Sequence, residues 1–136
     1  MKRSYLFVYQ ILTGLSDTST GLLLLFAPEL ALRLMRVFVP TDALPYLSYI
    51  GAFVLSVGLA CLYGAMLTRR ILFAQKLEVV WLLTTITRGC VALFVVGKIL
   101  SGGLAPGWLV VAVTDGLFAA IQAFGLWKGW FSDVAV

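Results

Sequence analysis

The chain has no histidine, only two cysteines, and charge on just 12% of its 136 residues. Without an imidazole there is no histidine-based catalytic triad, no usual axial haem ligand and no member of the commonest metal-ligand type. Paired-cysteine metal spacing and glycine-rich phosphate loops are also missing. Cys61 and Cys90 lie in different apolar segments and, by the depth arithmetic below, on opposite sides of a bilayer midplane. That argues against disulfide geometry and leaves both as small core residues. The scarcity of charge excludes more, because a soluble domain of this size needs roughly twice as much to cover its surface.

What the chain has is apolar length. Hydrophobic residues make up 62% of it, and four segments of spanning length account for nearly all of it. A hydrocarbon core of about 30 Å asks for roughly 20 helical residues. The expected fold is all-α: one integral membrane four-helix bundle over residues 1–136, with helices near 5–26, 46–67, 71–100 and 108–130. Between the first two, Pro28-Glu29 opens LALRLMRVFV, too short to span. Its apolar residues at helical spacing around Arg33 and Arg36 predict an interfacial amphipathic helix near 29–39. The basic start, Met1 to Ser4, resembles a signal peptide. The apolar stretch after it is long, holds Asp17 and lacks a small-x-small cleavage site, so it is expected to stay as the first span.

The net charge of +4 reports orientation rather than nucleic-acid binding. Lys2, Arg3, Arg69, Arg70, Lys76 and Lys128 fall on one side, against Arg33, Arg36 and Lys98 on the other. This bias places both termini in the cytoplasm, although Arg33 and Arg36 stand on the minority side. Trp108 near one interface, and Trp127 and Trp130 near the other, fit an aromatic belt.

The charged residues inside the spans are the candidate site. Arg88 sits near the middle of the third span, and a charge at that depth costs several kcal/mol unless paired, hydrated or neutralised. From the helical rise, Asp17 falls within about 2 Å of the midplane, and Arg88 and Asp115 roughly 4 to 6 Å to its outer side. Three groups of opposite sign at similar depth on three helices predict a cluster, with Thr18, Thr84, Thr87 or Thr114 filling the remaining bonds. Two aspartates against one arginine leave an excess negative charge, which invites a proton, a cation or a partner. A second group, Gln10, Glu78 and Gln122, falls roughly 4 to 11 Å toward the inside, with Trp81 within a turn or two of Glu78. It is a structural carboxyl among neutral donors or a proton- or ligand-binding site. In the second span Ser48, Ala52, Ser56, Ala60 and Gly64 recur every four residues. Such a stripe predicts close helix packing inside the bundle, or contact with a second copy or partner helix.

Three pieces, GLSDTSTGLLLLFAPEL in the first span, YIGAFVLSVGLACLYG in the second and DGLFAAIQAFGL in the fourth, resemble the small bacterial four-helix membrane proteins grouped around the DoxX-like families. The resemblance implies a bacterial inner-membrane protein. Some members of that set resemble the membrane subunit of a thiosulfate:quinone oxidoreductase, which implies a quinone-facing role. Small multidrug transporters share four helices and a first-helix carboxylate, but not the acids in the third and fourth spans or Arg88. The expected function is a subunit without independent catalysis, contacting membrane lipids and either other membrane subunits or its own copies, with no metal and no resident cofactor. The alternatives are a small proton- or cation-coupled transporter built on Asp17, Glu78, Arg88 and Asp115, and a quinone- or lipid-handling subunit with its ligand near Glu78 and Trp81.

Overall fold

The computed structural model describes residues 3–70 and 74–131, and this part of the chain is helical with no strand. The helices are α1 (Arg3–Phe26), α2 (Pro28–Leu34), α3 (Leu44–Leu67), α4 (Ala74–Leu100) and α5 (Leu109–Trp127). Short 3-10 turns, Thr41–Ala43 and Pro106–Trp108, lead into α3 and α5. Three segments, Thr41–Leu67, Ala74–Leu100 and Pro106–Trp127, are long and apolar enough to cross a membrane. α1 has the length, at 24 residues, but its polar middle from Gly14 to Gly21 lowers its mean hydropathy. Lys2 and the expected start of the third span at Ile71 lie outside the described residues.

Two expected boundaries move, and the cause is the same. The interfacial helix stops at Leu34 rather than near residue 39, because Arg36 adopts the left-handed conformation at φ 54°. The Arg36 amide then donates to the Arg33 carbonyl at 3.1 Å and the Val37 amide to the Leu32 carbonyl at 3.0 Å. This Schellman pairing satisfies the end of α2 and turns Val37 onto Leu32 and Leu47. At the end of α5, Gly129 at φ 62° does the same, with the Trp130 amide donating to the Gly125 carbonyl at 3.1 Å. The helix ends at Trp127 instead of Trp130, and Trp130 folds back against Trp81.

α1 and α3 run antiparallel in close contact, and α4 packs along α5; α3 and α4 touch less extensively. Glycine sets the first pairing. A methyl group added at Gly51 would lie 2.7 Å from the Leu25 amide nitrogen, and one at Gly58 would lie 2.5 Å from that of Thr18. At Gly21 it would overlap the Leu55 backbone. Gly14 and Gly21 on α1, and Gly51 and Gly58 on α3, are each seven residues apart, so they stay on one face through two turns. Of the four-residue stripe, only Gly64 is buried in this contact, against the Gln10 side chain; Ala52 and Ser56 are exposed, and Ser48 and Ala60 half-buried. Four residues turn a helix through about 400°, so such a row drifts off the interface within a few steps.

One end of the bundle is closed by Leu6, Leu67, Leu77, Trp81 and Phe131, backed by Tyr9, Leu126 and Trp130. Arg3 ties α1 to the end of α3, its guanidinium donating to the Thr68 carbonyl and, at 2.9 Å, to that of Arg70. The opposite end is covered by α2 and Trp108, around Leu32, Val37 and Leu47. The long helices bury only narrow stripes, such as Leu77, Trp81, Thr84, Arg88, Ala92 and Val95 on α4. Their other faces are also apolar: Leu93 is 76% exposed, and only 33%, 28% and 22% of the three span-length windows are buried.

Candidate functional site

Arg88 is 2% exposed and lies between the two helix pairs. Its Nη1 donates to Asp115 Oδ1 on α5 at 3.0 Å, and its Nη2 to Asp17 Oδ2 on α1. The guanidinium also covers the Phe118 ring, with Cζ 4.9 Å from the ring centre, a cation–π contact that adds to its compensation. Each residue comes from the inward stripe of its helix. Asp17 continues Gln10, Thr13 and Gly14, and Asp115 lies between the buried Ala112 and Ala119. The structure thus joins Asp17, Arg88 and Asp115 in one ionic group linking the α1–α3 pair to the α4–α5 pair.

The threonines expected to complete this group serve elsewhere. Thr87 and Thr114 donate to carbonyls of their own helices, Leu83 at 3.0 Å and Val110 at 2.9 Å. Thr84 receives the Gln122 amide at 2.9 Å. Thr18 Oγ1 is buried against Gly58 without a hydrogen-bond partner among the described residues, and Arg88 Nε is likewise enclosed and unpartnered there.

The inner polar group divides. Gln10, Trp81 and Gln122 are fully buried. Gln122 bonds Thr84 and accepts from Thr85 at 3.4 Å, whereas both amide atoms of Gln10 and Trp81 Nε1 have no partner among the described residues. Glu78 is exposed, one residue past buried Leu77 and off the α4 stripe. Height along the helix places it near this layer; its direction takes it out of it. Among the described residues, no group of three or more Cys, Asp or Glu could hold a metal ion.

On the other side of the ionic group, toward α2, the helix pairs part around a cavity of about 750 Å³. Asp17, Arg88 and Asp115 are its only charged lining residues among those described, with Ser16, Thr20, Thr87 and Thr114 around them. Leu24, Val54, Phe94, Val111 and Phe118 form apolar walls, and Ala31, Met35 and Trp108 the roof. Lining residues Phe53 on α3, Phe94 on α4, Thr20 on α1 and Val110 on α5 are exposed, so the cavity opens to the outside of the bundle. The carboxylates border it: the side chains of Asp17 and Asp115 are 13% and 22% exposed, against 2% for Arg88.

Sequence reasoning missed Phe118, Tyr9 and the cavity itself. Phe118 was legible in principle, three residues after Asp115 and so on the same helix face. Tyr9, whose hydroxyl donates to the Phe118 carbonyl at 3.3 Å and whose ring packs on Trp81, carried no such mark. A cavity is a failure of two helix pairs to meet, which no single segment records. No protein-family model, curated protein or solved structure matches the chain.

Proposed function

We propose that the chain is an integral membrane protein with α1, α3, α4 and α5 as its four spans, and that it holds a lipophilic molecule in the cavity over Arg88. The observation that carries this reading is the cavity: apolar walls and one compact polar floor midway along the long helices. Its size falls within the roughly 300–1,000 Å³ of small-molecule sites, which are mostly apolar with a few placed polar groups. The outward apolar faces support the membrane setting, since an exposed apolar surface of this extent would aggregate in water. α1 joins the spans despite its polar middle because Asp17 and Thr18 turn toward protein.

In this reading the protein performs no catalysis of its own and acts as a subunit of a larger membrane assembly, or as a homo-oligomer, in a bacterial inner membrane with both termini cytoplasmic. The DoxX-like resemblance agrees with a lipid- or quinone-handling role, with the ligand over Arg88 rather than beside Glu78. Native mass spectrometry of the protein, gently solubilised from its own membrane, tests this. Wild type is expected to carry a lipophilic small molecule that the Val54→Trp/Val111→Trp variant, filling the cavity from α3 and α5, has lost. Equal retention by both would place the ligand elsewhere. An empty protein bound to larger subunits would leave the accessory role and remove the ligand role.

A further inference from the structure

The cavity floor offers more hydrogen-bond acceptors than donors, the Ser16 and Thr20 hydroxyls being its uncommitted hydroxyl donors among the described residues. Arg88 spends Nη1 and Nη2 on the two carboxylates, and its Nε is enclosed. The second oxygens, Asp17 Oδ1 and Asp115 Oδ2, accept nothing from the described residues, and both carboxylates border the cavity. Thr87 and Thr114 have committed their hydroxyl protons to their own helices, so what remains of each is oxygen lone pairs. In formal charge the floor is two carboxylates against one guanidinium, with no other charged residue lining the cavity among those described.

A ligand that completes this floor brings donors and a positive charge, and the walls require the rest of it to be apolar. Hydrogen bonds between an ionised donor and a carboxylate are roughly twice as strong as neutral ones, and more so away from water. An anionic head group would meet the carboxylates first, with the more deeply buried Arg88 behind them. A quinone offers carbonyl acceptors, which the Ser16 and Thr20 hydroxyls can meet but which leave the free carboxylate oxygens unpaired.

From this we infer that the cavity binds a lipophilic amine in its protonated form, its ammonium group seated on Asp17 and Asp115 and its apolar body between the helix pairs. The inference rests on the proposed role of the cavity as a lipophilic-ligand site, and narrows its chemistry.

The test uses octylamine, octanol and octanoate, which share one chain and differ only in the head group. Octylamine is cationic at pH 7, as a lysine side chain is. Binding is measured by ligand-observed NMR on the full chain in a neutral detergent, with the cavity-filled Val54→Trp/Val111→Trp variant in the same micelles as blank. Octylamine is expected to bind wild type about tenfold more tightly than octanol, with octanoate weakest. Asp115→Asn retains the Arg88–Asp17 pair and a balanced charge; it is expected to lose the amine preference while still binding octanol. Asp17→Asn, which retains the Arg88–Asp115 pair, is expected to do the same and guards against misfolding of either variant. Octanol or octanoate binding as tightly as octylamine, with the cavity-filled variant silent, would overturn the amine inference and leave the cavity site standing. No difference between wild type and the cavity-filled variant for any of the three would overturn both.

Discussion

Arg88 is the residue on which the two halves depend. It is all but inaccessible, and its compensation comes from two other helices and one aromatic face. Removing one partner of a buried ion pair costs about 3–5 kcal/mol, because the remaining charge keeps its desolvation cost and loses its attraction. Arg88→Met is therefore expected to destabilise the fold by that amount in a reversible detergent-unfolding titration. The triple replacement Asp17→Asn, Arg88→Met, Asp115→Asn is expected to return to within about 1 kcal/mol of wild type, since no uncompensated charge remains. Arg36 makes the opposite case. It occupies a left-handed position that costs a side-chain-bearing residue about 1–2 kcal/mol, and it is exposed. Arg36→Gly should stabilise by about 1 kcal/mol in the same titration and leave α2 ending at Leu34.

At the scale of elements, the contact between α1 and α3 is a matter of missing side chains. Where lipid surrounds a helix there is no hydrophobic drive toward its neighbour, and association relies on close van der Waals packing of small residues. Gly58 lies against the α1 backbone at Asp17 and Thr18, so a bulky residue there separates the helices and displaces Asp17 from Arg88. Gly58→Leu is expected to cost at least about 3 kcal/mol, the upper range for overpacking, because backbone rather than a flexible side chain must yield. Ser56→Leu, two residues away on the exposed face, is expected to change stability by less than about 0.5 kcal/mol. Similar losses for both would show that the four-residue row, not the seven-residue glycine spacing, carries the contact.

For the whole molecule, the end contacts set the topology. Arg3 bonds the carbonyls of Thr68 and Arg70, and Phe131 packs with Leu6, Leu67 and Leu77. The start of α1, the turn after α3 and the end of the described chain therefore share one face of the bundle. α2, Thr41–Ala43 and Pro106–Trp108 share the other, where Gly107 lies against Met35 and Val37. With Cys61 and Cys90 replaced by alanine, single cysteines at Thr41 and Ser101 should be modified by a membrane-impermeant thiol reagent added to intact cells. A cysteine at Arg69 should react only after the membrane is broken. Labelling of Thr41 and Arg69 from the same side would rule out four spans with cytoplasmic termini.

What the sequence determined by itself is whatever depends on composition and on distance along one helix. Apolar patterning marks the long helices, three of them long and apolar enough to cross a membrane, and helical rise puts Asp17, Arg88 and Asp115 at similar heights. What only the tertiary structure decided is direction and separation. Glu78 shares the height of Gln10 and Gln122 yet faces outward, because one residue turns a helix by about 100° and height carries no information about that angle. The glycine contact outweighed the more regular four-residue row because the facing helix, not the row itself, determines which positions meet backbone. The ends of α2 and α5 depended on left-handed residues at Arg36 and Gly129 that let Val37 and Trp130 find buried partners. The cavity was the least legible feature of all. It exists because two tightly packed pairs meet through Arg88 and an aromatic end, and part beyond them, which is a property of how four segments are arranged and of none of them alone.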